Sequence, residues 1–337
     1  GLLSSRQLRT LARIARKWDR GYGHFSTRQN IQFNWPKLED VPDILAELAT
    51  VQMHAIQTSG NSVRNITTDH YAGVARDEIV DSFVWCELLR QWSTFHPEFS
   101  FLPRKFKIAV NGAVADRAAT YLHDLGLHAV RDVAGEIGFR VIVGGGMGRT
   151  PIIGHVMQEF LPWPHLLTYL EAVMRVYNRY GRRDNLNKAR IKILVKALTP
   201  ERFRKDVEAE WVHLKGGPST LTEEEVRRVE GRFTRPAYKA LPGDDAGHAA
   251  RLAAGTAFAA WAKRNVHPHK APGYAAVTLS LKKTGVPPGD ATAGQMDAVA
   301  DLADRYSLGE LRVSHEQNLI LADVRQSDLH ALWGEAK

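Results

Sequence analysis

The chain of 337 residues leaves room for two or three compact units, and its 44% hydrophobic and 24% charged residues exclude wholesale disorder or a fibrous repeat. A formal net charge of +8 and a pI of about 9.5 point to an anionic partner, whether nucleic acid, an acidic protein or a polyanionic small molecule. The single cysteine, Cys86, excludes an intramolecular disulfide and any cysteine-rich metal or iron–sulfur site within these residues, as expected of a reducing cytoplasm.

No apolar run reaches the roughly 18 residues of a membrane span. Position 1 is glycine, and no signal-type core follows, so the start of the chain is read as missing. In chain order, Leu8, Leu11, Ala12, Ile14 and Ala15 recur at helical spacing up to Gly21. A strand is expected over 24–35 and a helix over 40–48. Then come a helix over 78–92, a strand over 105–110, a helix over 116–125 and a strand over 139–143. Helices are expected over 166–180, 189–198 and 200–214, with Thr199-Pro200 as cap and first turn. Segments 215–219 and 241–248 read as linkers, 274–281 as a strand and 285–294 as a polar loop. Cys86 lies among Phe83, Val84, Trp85, Leu88 and Leu89, as a core residue would.

The two ends of the chain repeat each other. Gln29-Asn30 and Gln317-Asn318 lie 288 positions apart, and that offset also pairs Gln7 with Gln295, Ala12 with Ala300, Gly21 with Gly309 and Asp40 with Asp328. A helix–strand–helix unit is therefore duplicated without a gap. Arg28 in the first copy faces Glu316 in the second, so an anion site built on the first has no counterpart in the second.

Four basic residues sit in short polar or aromatic contexts: Arg28, Arg64, Lys105 and Lys107. On an extended segment, residues two apart share a side, so Lys105 and Lys107 would repel each other unless an anion lay between them or one or both reached water at the strand end. The run Gly144-Gly145-Gly146-Met147-Gly148-Arg149-Thr150-Pro151 could bind phosphate or carboxylate through backbone N–H groups. A dinucleotide fingerprint would put its third glycine on Pro151, so NAD is not expected. His267 and His269 have no third ligand near in sequence and read as structural or surface residues, so no metal ligands are assigned. No nucleic-acid-binding motif accompanies the positive charge.

Thr27-Arg28-Gln29-Asn30-Ile31-Gln32-Phe33, Gly60-Asn61 with Arg64-Asn65, and Leu102-Pro103-Arg104-Lys105-Phe106-Lys107 resemble, in order and spacing, motifs of the sirohaem-dependent sulfite and nitrite reductases. The duplication is similar to that family's two halves. The resemblance implies an α+β fold, with ferredoxin-like half-domains at 1–52 and 266–337 flanking a sirohaem reductase domain at 53–215, and a linker with helices at 216–265. It implies that Arg28, Arg64, Lys105 and Lys107 ring the oxyanion, and that sirohaem, with eight carboxylates, is held by Gln29, Asn30, Asn61, Asn65, Arg104, Gly145, Gly146, Arg149, Arg183, Lys188 and Arg190 among others.

The family's four-iron four-sulfur cluster needs four cysteines, which are not in these residues. The resemblance therefore implies a fragment lacking the cluster-binding domain and inactive alone. The first copy also reads as beginning at its helix, where the second has the strand 274–281. The implied parent activity is six-electron reduction of sulfite to sulfide, with electrons from an acidic ferredoxin or a flavoprotein. Nitrite reduction to ammonia and a non-catalytic haem- or anion-binding module are the alternatives. Nitrite reductases of the family usually carry Asn where this chain has Lys107, which favours the more highly charged sulfite. Neither nucleic acid nor membrane is an expected partner.

Overall fold

A computed structural model describes residues 1–337 except 235 and 244. The chain divides into two compact units, one of Gly1–Ala55, Val74–Arg76 and Arg235–Lys337, the other of Ile56–Gly73 and Asp77–Thr234.

The first unit opens with strand β1 (Leu2–Ser4), helix α1 (Ser5–Trp18), strands β2 (Tyr22–Phe25) and β3 (Ile31–Gln32) and helix α2 (Val41–Ala49). Ser4 and Gln7 form a capping box at the start of α1, each side chain accepting the other's backbone N–H. Leu8, Leu11, Ala12, Ile14 and Ala15 are all buried. The single strand expected over 24–35 is a tight hairpin instead. Ser26 N–H donates to Asn30 O (2.7 Å), Gln29 N–H donates to Ser26 O (3.0 Å), and Gln29 takes a φ of 56°. The polar run from Thr27 to Asn30 is therefore the turn.

The second unit carries strand β4 (Thr67–Thr68), helix α3 (Ser82–Ser93) and strands β5 (Ile108–Asn111), β6 (Leu125–Arg131), β7 (Ile137–Val143) and β8 (His155–Pro162). Helices α4 (Leu166–Tyr180), α5 (Ile191–Leu198), α6 (Pro200–Trp211) and α7 (Glu223–Glu230) follow. The strands lie in that order in one sheet; β4, β5 and β6 are parallel, while β7 and β8 are each antiparallel to the strand before. Phe106, Ile108, Val110, Leu125, Leu127 and Phe139 form one core with Trp85, Leu88 and Leu89 of α3 and Tyr169, Leu170 and Tyr177 of α4.

Helix 166–180 forms with the expected limits, and Thr199 caps α6 by accepting the Arg202 N–H ahead of Pro200. The helix expected from 78 starts at Ser82, where Asp81 caps it by accepting the Phe83 N–H. The helix expected over 116–125 does not form. The Asp116 carboxylate accepts the N–H groups of Ala118 and Thr120 and the Thr120 hydroxyl, closing a turn, and Leu125 begins β6. A Cβ at Gly126 would lie 2.3 Å from Thr120 O, so that turn seats directly on the strand.

The first unit resumes with helices α8 (Ala246–Ala253) and α9 (Ala257–Asn265) and strands β9 (Val266–Pro268), β10 (Tyr274–Leu279) and β11 (Asp290–Thr292). It ends with helix α10 (Ala293–Tyr306), strands β12 (Glu310–Val313) and β13 (Leu319–Arg325) and helix α11 (Leu329–Glu335). The linker expected over 241–248 contains the start of α8, and Asp244 within it lies outside the described residues. The loop expected over 285–294 contains β11 and the first turn of α10.

The duplication is carried in the geometry. Each of β11, α10, β12, β13 and α11 begins 288 residues after β1, α1, β2, β3 and α2 respectively. Thr292 and Gln295 repeat the capping box. Gly21 and Gly309 share a φ of 78° and 74°, and Gln29 and Gln317 share 56° and 64°. The copies exchange their leading strands, β1 pairing antiparallel with β12 and β11 with β2. Helices α1 and α10 are linked by ion pairs from Arg9 to Asp301 and Asp304 and from Arg16 to Asp297. The strand expected just before the second helix lies instead inside the sheet β1-β12-β13-β10-β9, and β11 takes its place.

Candidate anion site

The sheet of the second unit gathers basic residues at one edge. Because β4, β5 and β6 are parallel, the segments leading into them lie together, and these carry Arg64, Lys105 with Lys107, and Asp124. Strand β7 ends beside the start of β6, Val143 opposite Leu125, which brings the glycine run to the same edge. The expected strand 105–110 begins only at Ile108, but Phe106 forms a parallel bridge with Val63. Phe106 is fully buried, and by alternation Lys105 and Lys107 take the other side.

The electrostatics at this edge are unbalanced. Burial, then Arg190, Arg64 and Arg104, lower the Lys105 pKa, and Asp124 alone among the named influences opposes them. Burial, then Arg104 and Arg190, lower that of Arg64. The Arg64 side chain donates to Thr58 O (2.9 Å) and Gly60 O (3.1 Å) of its own loop. No described residue hydrogen-bonds or ion-pairs with the Lys105 ammonium. Asp124, fully buried, accepts the Lys107 N–H at 2.9 Å and an ion pair from Arg190 at 2.7 Å.

Neighbouring assignments divide. Arg104, Lys105, Lys107, Arg64 and Arg190 come together. Asn61 and Asn65 serve the backbone there, Asn61 O accepting the Leu102 N–H and Asn65 N–H donating to Gln57 O. The glycine loop differs from expectation. Gly144 N–H donates to Asp124 O and Gly146 N–H to Ile152 O, so neither is open to an anion. Gly145 is required for close packing, since a Cβ there would lie 2.2 Å from Tyr121 O. Lys192 Nζ ties the loop by donating to Met147 O (3.1 Å) and Thr150 O (2.6 Å), while Arg149 is exposed at its tip.

Arg183 is exposed and donates to Asn178, and Lys188 is exposed on a short turn. Arg28, Gln29 and Asn30 form the β2–β3 turn of the first unit, where Gln29 is buried and Arg28 and Asn30 partly so. His267 Nε2 lies 3.2 Å from Thr278 Oγ1, and His269 is buried against Asp323. No group of three His, Cys, Asp or Glu suited to a metal occurs among the described residues. Cys86 is half-buried on α3, its Sγ 3.9 Å from Thr67 O. Asp124 and the clamping role of Lys192 were not legible in sequence.

Residues 59–215 match the nitrite and sulphite reductase 4Fe-4S domain, and residues 1–51 and 267–337 match the nitrite/sulfite reductase ferredoxin-like half domain. The chain belongs to the nitrite and sulfite reductase family. Among this family's members it is 32% identical over 345 residues to the chloroplastic ferredoxin–nitrite reductase of Arabidopsis thaliana, covering 99% of this chain and 52% of the relative. It is 32% identical over 211 residues to sulfite reductase [ferredoxin] 1 of Mycolicibacterium paratuberculosis, covering 63% of this chain and 38% of the relative. The Mycobacterium tuberculosis NirA protein superposes with a TM-score of 0.75 at 26% identity, over 98% of this chain and 54% of that one. The chain thus spans about half the length of the full-length relatives it matches along its whole extent.

The family implies sirohaem and an iron–sulfur cluster. The clustered cations, with one buried carboxylate among them, suit a polyanionic macrocycle. The cluster does not fit: it calls for four thiolates, and the sequence has one cysteine.

Proposed function

We propose that this chain forms the oxyanion-holding and cofactor-carboxylate-holding part of a sirohaem-dependent reductase of sulfite. The observation that carries the reading is the cation cluster of Arg64, Arg104, Lys105, Lys107 and Arg190, in which burial and then the neighbouring arginines lower the pKa of Lys105 and of Arg64. When bound, sirohaem would relay to the oxyanion the electrons that the external donor supplies. Arg64 offers a fork for the anion's oxygens, at the expense of its bonds to Thr58 and Gly60. Lys105, whose ammonium is weakened by burial and three arginines, is the proton donor as each S–O bond breaks. Arg28, Gln29 and Asn30, assigned to the same ligands by the family motif, lie on the β2–β3 turn of the first unit. Arg104 and Arg190 pair with macrocycle carboxylates; Arg149, Arg183 and Lys188 do so from exposed positions.

Lys107 favours sulfite, because a second ammonium on the Lys105 side stabilises a dianion more than a monoanion. Nitrite is the second reading, supported by the relatives named as ferredoxin–nitrite reductases. The basic net charge suits an acidic ferredoxin or flavoprotein as donor, and the relatives' names include ferredoxin. No described helix is long and apolar enough to cross a membrane; cytoplasm is the proposed compartment.

Titration of purified chain with sirohaem, followed by its absorbance spectrum, tests the site: saturable binding weakened by Arg104→Ala and Lys105→Ala is expected, and no binding would sink the reading. In a holoenzyme bearing this chain, Lys107→Asn should lower kcat/KM for sulfite more than for nitrite. An unchanged ratio would remove Lys107 as the discriminating charge.

A further inference from the structure

Three parts of the cation site meet on one acidic residue. Asp124 Oδ2 accepts the Lys107 N–H at 2.9 Å, Oδ1 accepts Arg190 Nε and Nη2 at 2.8 and 2.7 Å, and its carbonyl accepts the Gly144 N–H at 3.0 Å. The next residue returns the contact, Leu125 N–H donating to Lys107 O at 3.1 Å. The Asp124 side chain has no exposure and that of Arg190 has 15%. Burying a charge this deeply is costly without such donors, and the three that reach its carboxylate, one backbone N–H of Lys107 and two guanidinium N–H groups of Arg190, come from segments that carry basic residues of the site. Burial raises the Asp124 pKa, and the Arg190 guanidinium and the Lys107 N–H, all aimed at its oxygens, oppose that by favouring the carboxylate.

We propose that Asp124 is the positioning residue of this site, fixing the segment that carries Lys105 and Lys107, the Arg190 guanidinium and the first glycine of the 144–151 loop around a single buried negative charge. The inference deepens the reductase reading and bears on catalysis only if that reading holds. Asp124 touches no substrate; it acts through Lys105, Lys107 and Arg190.

Its charge has a second effect that backbone scaffolding alone would lack. The charged groups facing Lys105 are Arg190, Arg64, Arg104 and Asp124, and Asp124 is the one that favours the ammonium. Those facing Asp124 itself are Arg190 and Lys107, while Tyr177 and Lys192 also feel its charge. A buried carboxylate under the cluster therefore favours the Lys105 ammonium against burial and the three arginines, which disfavour it.

The test reads the Lys105 amine directly, by competitive acetylation of the folded chain across pH with mass spectrometry. In Asp124→Asn the midpoint of Lys105 reactivity moves to lower pH, and in Asp124→Glu it returns toward the wild-type position. A midpoint unmoved in a folded Asp124→Asn chain overturns the proposal. Should that variant not fold, the wild-type chain decides: the Asp124 carboxyl 13C resonance shows an inflection at the Lys105 midpoint, and its absence overturns the proposal equally. Sirohaem titration of the wild-type chain keeps the two readings apart, since lost cofactor binding would sink the reductase reading and leave the Lys105 shift in place.

Discussion

Gln317 Nε2 donates to the Phe25 carbonyl at 2.9 Å, joining the turn of the second copy to the strand of the first across the duplication. The same amide reaches Pro288 O at 3.2 Å, and its backbone sits at a φ of 64°. Gln317→Ala should cost about 1–2 kcal/mol, the usual worth of such bonds. Gln317→Gly loses the same bonds but relieves the left-handed backbone, worth about 1 kcal/mol. Urea unfolding midpoints should rank wild type above glycine above alanine; equal glycine and alanine midpoints would refute the strain argument.

Lys105 should make the ligand-free protein less stable. Its pKa is lowered by burial first and then by Arg190, Arg64 and Arg104, so between that depressed value and the ordinary lysine range near 10.5 the unfolded chain binds more protons than the folded one. Stability from this group therefore rises with pH through that window and is lowest at neutral pH, where the folded ammonium is charged among cations. Lys105→Met should raise the melting temperature at pH 7, with a gain that shrinks toward pH 10, and should weaken sirohaem binding. A lower Tm at pH 7 in the variant would contradict the sign.

Lys192 spans the glycine loop, its ammonium donating to Met147 O and Thr150 O from a side chain that is itself buried. Lys192→Met keeps the apolar stem and removes both bonds. Limited trypsinolysis should then cut faster after Arg149 at the exposed tip, with the rest of the digestion pattern unchanged. An unaltered rate at Arg149 would show that the loop holds without the clamp.

Phe106 anchors the lysine segment from below. It is fully buried, bridged to Val63 and in ring contact with Tyr177 at 5.6 Å. Phe106→Ala should cost about 3–5 kcal/mol. It should also weaken sirohaem binding even though the side chain points away from the lysines, whereas Phe203→Ala should carry a similar stability cost with a smaller effect on binding. Calorimetric unfolding paired with cofactor titration separates the two effects.

What could be read from sequence tracks what is local. Helix α1 announces itself through Leu8, Leu11, Ala12, Ile14 and Ala15 and the glycine beyond, and its copy follows at a fixed offset. The hairpin at 22–32 was hidden because Phe25, Ile31, Phe33 and Trp35 alternate like one strand across the turn. The stretch 116–125 holds Ala118, Ala119, Leu122 and Leu125 at helical spacing, yet three bonds to the Asp116 side chain outcompete the helix. Asp124 fell inside that false helix. Its partner Arg190 lies 66 residues away, a pairing that spacing cannot disclose. The glycine run was visible, but only the sheet register shows that the N–H groups of Gly144 and Gly146 are already used.

The exchange of leading strands has a consequence for biosynthesis. With β1 paired to β12 and β11 to β2, the first copy cannot complete either small sheet until the second has been made. At the usual translation speeds, the roughly 290 residues between them take about 15–60 s to emerge. Through that interval α1 presents an apolar stripe of Leu8, Leu11 and Ala15 with its partner helix not yet synthesised, while the second unit, whose strands and helices are consecutive, can already close. Helix α1 is thus left without its partner until α10 is made, and chaperone capture should map to residues 5–18.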